Sequence, residues 1–329
     1  CAALGTSAKA VAFAVSTSHV VVVDSSGAAN WFPRLSIDGF VPGSVPIKPE
    51  QLATFTVQGR SQSAVSAVMD PTVRYILAGC RGGSIFKVSL DVIECEANEE
   101  EDDDEGNPSE EALIEVSPAP LATFQSGATL CAACLPIGVL KSDLTKAGKM
   151  TTLYVNGSHT GLLTFWELPT IAGERRSGGG IREVRLNAIS VLSTALPRSS
   201  PVTAMEVLNV ASTMGSRFLM LGHLDGWVTV VKIDAVEHNV NDGHQLTIET
   251  SVVQSVHLFQ GAVTMLEGNT SNAYVAIGSF SDPTVYVMDA GVVASMTVMA
   301  FVTTEAVAAK AIWEAANLFL VTTGNEMVM

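Results

Sequence analysis

Residues 218–235 read FLMLGHLDGWVTVVKIDA: an apolar run, a short turn with Asp225 and Gly226, and a second apolar run. Aspartate and glycine tolerate the positive φ of tight turns, so this stretch predicts a hairpin of two strands. Related patterns occur at HVVVVDSSGAANWF (19–32), YILAGCRGGSIFKVSLD (75–91), LYVNGSHTGLLTFWEL (153–168), AYVAIGSFSDPTVYVMDA (273–290) and LFLVTTGNEMVM (318–329). Internal repetition of this kind decides the fold.

Each repeat has room for four strands. The aligned turn residues are Gly27, Gly83, Gly161, Gly226, Pro283 and Gly324, which are 41 to 78 residues apart. In the fourth repeat the predicted strands are PVTAMEVL, RFLMLGH, WVTVVKID and LTIETSVVQ. Strands that are almost continuously apolar are covered on both faces, as in stacked blades. The sequence therefore predicts an all-β fold, a β-propeller of six or seven four-stranded antiparallel blades, complete or incomplete in this chain.

Composition favours one large domain over residues 1–329, since 47% of the residues are hydrophobic and only 16% are charged. The net charge is −15, but residues 94–111 hold eleven acids and no base. The remaining 22 acids and 18 bases are nearly balanced, which argues against a nucleic-acid partner. We expect residues 94–118 to be an acidic, disordered insertion between strands, and residues 172–185 to be a Gly/Arg-rich loop.

The third repeat resembles the end of a WD repeat. There, SHTGLLTFWEL (158–168) places Trp166-Glu167 where that family has Trp-Asp. The resemblance implies a propeller that acts as a platform for other proteins. Neither His159 nor His223 occupies the position of the family's Gly-His pair, so the family's histidine network is not expected from the sequence.

Five cysteines in 329 residues do not make a disulfide framework, and a reducing, cytoplasmic location is expected. The two asparagine sequons, at Asn156 and Asn269, follow no signal peptide. The uncharged stretch 290–304 is too short for a membrane helix and suits strands better, so no membrane span is expected. The chain begins with Cys1, and we expect it to be a piece of a longer polypeptide.

Motifs that would indicate an enzyme are missing from the sequence. Cys131 and Cys134 have Cys-x-x-Cys spacing, but there is no second ligand pair for zinc, so ordinary buried cysteines are expected. His238 and His244 lie in AVEHNVNDGH, which we interpret as a solvated polar loop, with a metal site as the alternative. No catalytic residue, metal, cofactor or small-molecule substrate is therefore predicted.

Two groups of residues are candidates for interaction. Trp31, Phe32 and Arg34 have side chains common in interface hot spots, although they also suit a strand end that packs on its neighbour. Arg175 and Arg176 form a basic cluster, and Ser177 after them is a candidate phosphorylation site. The predicted function is a non-catalytic scaffold for protein–protein interaction within a larger assembly. Alternatives are a structural part of a ciliary, cytoskeletal or vesicle-trafficking complex (including a lethal giant larvae/tomosyn-like double propeller) and an enzyme that uses the channel.

Overall fold

The computed structural model of the chain describes most of the predicted strands. The described residues are 10–15, 19–33, 51–54, 56–57, 60–61, 64–69, 75–81, 83–94, 110–116, 122–123, 129–141, 150–168, 187–190, 200–208, 210, 216–240, 243–269, 274–291, 297–323 and 327–328. The regular elements within them are β-strands. The chain divides into two compact units, Cys1–Ala128 and Thr129–Met329, each described by itself below.

The first unit contains two antiparallel meanders and a small ribbon. Sheet 1 has the order β1 (Ala10–Val15), β2 (His19–Asp24), β3 (Ala28–Pro33) and β4 (Gln51–Thr54). Strands β5 (Thr56–Val57) and β6 (Arg60–Ser61) pair with each other. Sheet 2 contains β7 (Ala64–Met69), β8 (Tyr75–Cys80), β9 (Ser84–Glu94) and β10 (Glu110–Val116), and β11 (Ala122–Thr123) also pairs with β9.

The second unit continues the same pattern. Sheet 3 contains β12 (Thr129–Lys141), β13 (Met150–Ser158), β14 (Leu163–Leu168) and β15 (Asn187–Ser190), and sheet 4 contains β16 (Val202–Leu208), β17 (Ser216–His223), β18 (Trp227–Val240) and β19 (Gly243–His257). Sheet 5 contains β20 (Val263–Gly268), β21 (Tyr274–Ser279), β22 (Asp282–Asp289) and β23 (Thr297–Thr303), and sheet 6 contains β24 (Ala308–Glu314), β25 (Asn317–Thr322) and β26 (Met327–Val328). Successive antiparallel meanders confirm the predicted class, a β-propeller with four-stranded blades.

One connection departs from a simple series of blades. The end of β12 pairs in parallel with β18, joining Val139–Lys141 to Ala235–Glu237. Strands β18 and β19 form a long hairpin that stays paired from Trp227/His257 to Val240/Gly243. The expectation of a polar loop over AVEHNVNDGH is therefore wrong, because His238 and His244 lie within paired strands. The reason is that Ala235 and Ile248, near this end of the hairpin, are buried in the core between sheets 3 and 4.

The repeated turn is visible in the backbone. Among the described residues, the glycines with positive φ are Gly27 (87°), Gly83 (84°), Gly161 (78°) and Gly226 (82°). In each case the glycine N–H donates to the carbonyl three residues earlier, over 2.9–3.2 Å. Pro283 does not have the equivalent place, because the fifth turn is shorter and Asp282 already begins β22. The sequence alignment was therefore wrong at Pro283.

Two glycines, which have no side chain, let neighbouring sheets pack closely in the second unit. A Cβ at Gly157 would lie 2.9 Å from Cγ1 of Val202, and one at Gly222 would lie 2.6 Å from Cγ1 of Val263. Both glycines precede the last residue of the second strand of their sheet, and both valines belong to the first strand of the next sheet. The same contact therefore sets the spacing between sheets 3 and 4 and between sheets 4 and 5.

The structure describes parts of two other stretches singled out in the sequence, the insertion 94–118 and the uncharged stretch 290–304. Residues 110–116 of the expected disordered insertion form strand β10, which pairs with β9 so that Glu110 lies opposite Glu94. The insertion at 94–118 stays a prediction outside these paired residues, because 95–109 and 117–118 lie outside the described residues, as does the loop 172–185. Stretch 290–304 contains strand β23, and the described part of the chain has no helix long and apolar enough to span a bilayer.

Candidate interaction surface

The most exposed apolar strand in the described residues is β23. All seven of its residues are exposed, including Val298, Met299 (59%), Phe301 (67%) and Val302. The strand has no charged residue, and among the described strands it pairs only with β22. Exposed edge strands usually carry charges or prolines that prevent pairing with other chains. Within the described part of the chain, this strand presents apolar side chains and one edge with which no other strand pairs.

An apolar groove of about 400 Å³ lies beside this strand, between sheets 5 and 6. Its wall on sheet 5 includes Val287, Met299 and Val302, and its wall on sheet 6 includes Trp313 and Leu318. Met299 is the extra residue of a β-bulge, since Ala300 pairs with Val287 and Val298 with Met288. A bulge re-aims a side chain, and here it accompanies the entry of Met299 into the groove wall. We call β23 together with this groove the strand-groove surface.

The opposite face of β23 is also apolar. Phe301 lies opposite Tyr286 in register, with ring centroids 6.4 Å apart. Tyr286 in turn contacts Phe259 edge-on at 5.3 Å, and Phe259 is buried in the core between sheets 4 and 5. A row of aromatic rings thus extends from the core to the exposed strand. Phe301 is held by this row, although most of its surface is open to solvent.

Polar contacts fix the sheet 6 wall of the groove. Trp313 Nε1 donates to the carbonyl of Glu267 over 2.8 Å, and Asn269 Nδ2 donates to the carbonyl of Ala315 over 2.6 Å. Lys310 on β24 also forms an ion pair with Glu267 on β20. These contacts join the first strands of sheets 5 and 6 and the residues that directly follow them. The indole ring of Trp313 is therefore positioned before any partner arrives.

A carboxyl group lies within the apolar interface of sheets 4 and 5. Glu206 occupies β16 between Ala204 and Leu208, which belong to the core on that face. Its Oε1 would be 2.6 Å from a Cβ at Gly268, so the missing side chain at Gly268 makes room for it. Burial, and then the nearby charge of Glu267, raise the pKa of Glu206 to about 7, against the opposing effects of the Gly268 N–H and Lys310. Sheets 4 and 5 therefore meet at a group that titrates near neutral pH.

A buried chain of polar side chains joins three strands of sheet 4. His223 Nε2 is 3.1 Å from Thr229 Oγ1, which is 3.0 Å from Ser255 Oγ. Burial lowers the pKa of His223, so its neutral form is favoured. A histidine network was not expected from the sequence, yet His223 takes part in one. The available signal was a polar residue at the end of the second strand in sheets 1, 3, 4 and 5. Asp24, Ser158 and Ser279, which occupy the place of His223, accept turn hydrogen bonds through their side chains.

Of the interaction residues predicted from the sequence, Trp31 and Phe32 lie among the described residues. Trp31 and Phe32 lie in β3, opposite Val21 and Val20 of β2, which agrees with the alternative of a strand end. Arg34, Arg175, Arg176 and Ser177 lie outside the described residues. These residues thus remain sequence predictions, and the strand-groove surface was missed by the sequence analysis.

Cys131 and the two sequon asparagines, which the sequence also singled out, lie in the packed interior of the protein or close to it. Cys131 Sγ lies 3.5 Å from the carbonyl of Val202, and burial raises the pKa of its thiol to about 12, as for an ordinary buried cysteine. Among the described residues there is no cluster of three or more His, Cys, Asp or Glu that could hold a metal ion. Asn156 and Asn269 are both buried, so neither amide is accessible to a glycan in the folded chain.

Comparisons with known proteins show a likeness in structure to a β-propeller domain. No protein-family profile and no curated protein matches the chain. The β-propeller domain of Myceliophteria thermophila Cps50 (Swd1) aligns with 98% of this chain and 85% of its own, at 10% sequence identity and a TM-score of 0.47.

Proposed function

We propose that the chain is a non-catalytic scaffold for protein–protein interaction, a propeller module of a larger polypeptide or multi-subunit assembly. The observation that carries the proposal is the strand-groove surface. Residues 298–302 are five consecutive exposed apolar residues, and together with the groove beside them they form an apolar patch around the edge of β23. Patches of this kind on soluble proteins mark sites of association.

The surroundings of the surface suit binding without large rearrangement. The core between sheets 5 and 6 buries Met265, Val285 and Leu320, and Trp313 packs against it. A partner that meets a preformed surface loses less conformational entropy than one that must order it. Aromatic and methionine side chains are also enriched at interface centres, and Phe301, Met299 and Trp313 are of these types.

The proposed partners are other proteins, in the cytoplasm. The proposal of a reducing compartment rests on the cysteine count, since five cysteines in 329 residues do not make a disulfide framework. The surface is unsuited to nucleic acid, because residues 263–323 contain five carboxylates and a single base, Lys310.

Site-specific photocrosslinking in the native cell tests the proposal. A photoreactive amino acid at Phe301 is expected to give a discrete protein adduct, while the same label at Leu224 is not. Leu224 is the matched control because it is also an exposed apolar residue (51%), in the turn of sheet 4. Adducts of equal yield and identity at both positions, or none at Phe301, would refute the proposal.

A further inference from the structure

We infer that the strand-groove surface takes one kind of occupant: an extended apolar segment of a partner protein with basic residues on both sides. This inference rests on the proposed function and names the chemistry of the partner. Three observations support it: the two exposed faces of β23, its edge with which no described strand pairs, and the charges at its two ends.

The apolar residues of β23 lie on both faces of sheet 5. Val302 lies opposite Val285 and faces sheet 6, whereas Phe301 lies opposite Tyr286 and faces sheet 4. A compact apolar molecule in the groove would cover Met299 and Val302 but leave Phe301 in water. An occupant that covers both faces must pass along the edge of the strand. An added β-strand does this, since alternate side chains of such a strand point to opposite faces.

The regular part of β23 sets the length of the segment. Beyond the bulge, Ala300–Thr303 pair with β22 without interruption. The whole strand of seven residues spans about 23 Å at ~3.3 Å per residue. The occupant is therefore a short segment of about the same length, which adds backbone hydrogen bonds along β23 and places alternate apolar side chains toward the groove.

Negative charge flanks this strand at both ends. Asp289 lies opposite Thr297, the first residue of β23, and exposed Glu305 follows its last residue by two positions. Exposed Glu314 ends β24, immediately before the turn that lines the groove. Lys310, the base of residues 263–323, already pairs with Glu267. Charge complementarity therefore favours lysine or arginine on both sides of the apolar segment.

Calorimetric titration of the full chain with synthetic peptides tests this inference. The probe is a seven-residue peptide of alternating valine and threonine, flanked by arginines, and its counterpart is flanked by glutamates. We expect the arginine-flanked peptide to bind roughly tenfold more tightly, with the difference shrinking at high salt. Glu305→Gln should weaken the arginine-flanked peptide severalfold, while Glu249→Gln, an exposed carboxylate on β19, should leave it unchanged.

Met299→Lys tests the groove itself. It should abolish binding of the arginine-flanked peptide, whereas Leu224→Lys should not, and circular dichroism will establish that both variants are folded. Equal affinity for the two peptides, no binding of either, or binding that survives Met299→Lys overturns the inference. Self-association of the chain through β23 in sedimentation, with no peptide binding, overturns it in favour of a second copy. An adduct at Phe301 in cells with no preference for basic flanks would leave the proposed function standing while this inference fails.

Discussion

Replacing Glu206 with glutamine should make the protein more stable at alkaline pH and leave it unchanged at acidic pH. The carboxyl group lies in the interface of sheets 4 and 5, where burial and the charge of Glu267 raise its pKa from 4.5 to about 7. Because the folded state holds this proton more tightly than the unfolded state, the raised pKa of Glu206 makes a favourable contribution to the free energy of folding. This contribution is complete below pH 4.5. That contribution is lost as the pH rises through about 7.

The size of the effect follows from the displaced pKa. At 1.36 kcal/mol per pH unit, a pKa of about 7 instead of 4.5 corresponds to about 3 kcal/mol. Glu206 is only half-buried, so solvent screening reduces the expected value to about 1–2 kcal/mol. Glutamine has nearly the same shape, keeps an oxygen that can accept the N–H of Gly268, and cannot ionise.

Urea unfolding of the wild type and Glu206→Gln at pH 5 and pH 8.5 measures the difference. The wild type should lose about 1–2 kcal/mol more than the variant between the two pH values, and the variant should be the more stable at pH 8.5. Glu249→Gln on β19 is the control, since that carboxylate is exposed. If Glu206→Gln follows the wild type at both pH values, or is destabilised at pH 8.5, the account of this interface is incorrect.

Two further predictions concern the turn end of sheet 4. Gly226→Ala should destabilise the fold by about 2–4 kcal/mol in urea unfolding. The reason is that φ at this residue is 82° and a new Cβ would lie 1.8 Å from the carbonyl oxygen of Phe259. A loss of stability below about 1 kcal/mol would mean that the turn relaxes easily. His223→Gln should flatten the dependence of Tm on pH between 7 and 5, because burial lowers the pKa of His223 and the wild type therefore loses stability as the pH falls below 6.5. Calorimetry at both pH values measures this, and an unchanged slope in the variant would assign the acid sensitivity to other groups.

The strands were predictable because their signal is local. Apolar β-branched runs on either side of a glycine turn fix the hairpins, and the predicted strands of sheet 4 agree with β16 to β19. The prediction failed where distant residues decide the structure. His238 and Asn239 look like loop residues, but β12, about 100 residues earlier, pairs beside them and the hairpin continues.

The candidate surface could be predicted only in part. Glu206 breaks an apolar face between Ala204 and Leu208, and alternation along the strand could have flagged it. Nothing near Met299 or Trp313 in the sequence shows that they share a groove, because that depends on how sheets 5 and 6 face each other. Trp31 and Phe32 were chosen for their residue type alone, and residue type does not distinguish a strand end from an interface.

The parallel pairing of β12 with β18 has a consequence for how sheets 3 and 4 unfold and for which blades can be deleted or duplicated. In repeat proteins, stability is approximately a sum of terms for each module and for each interface between neighbours, so a stronger interface couples two modules more tightly. At Val139–Lys141 and Ala235–Glu237 the main chains themselves are bonded across the boundary. Sheets 3 and 4 should therefore melt together, and deletion or duplication of a blade should be tolerated least at this seam.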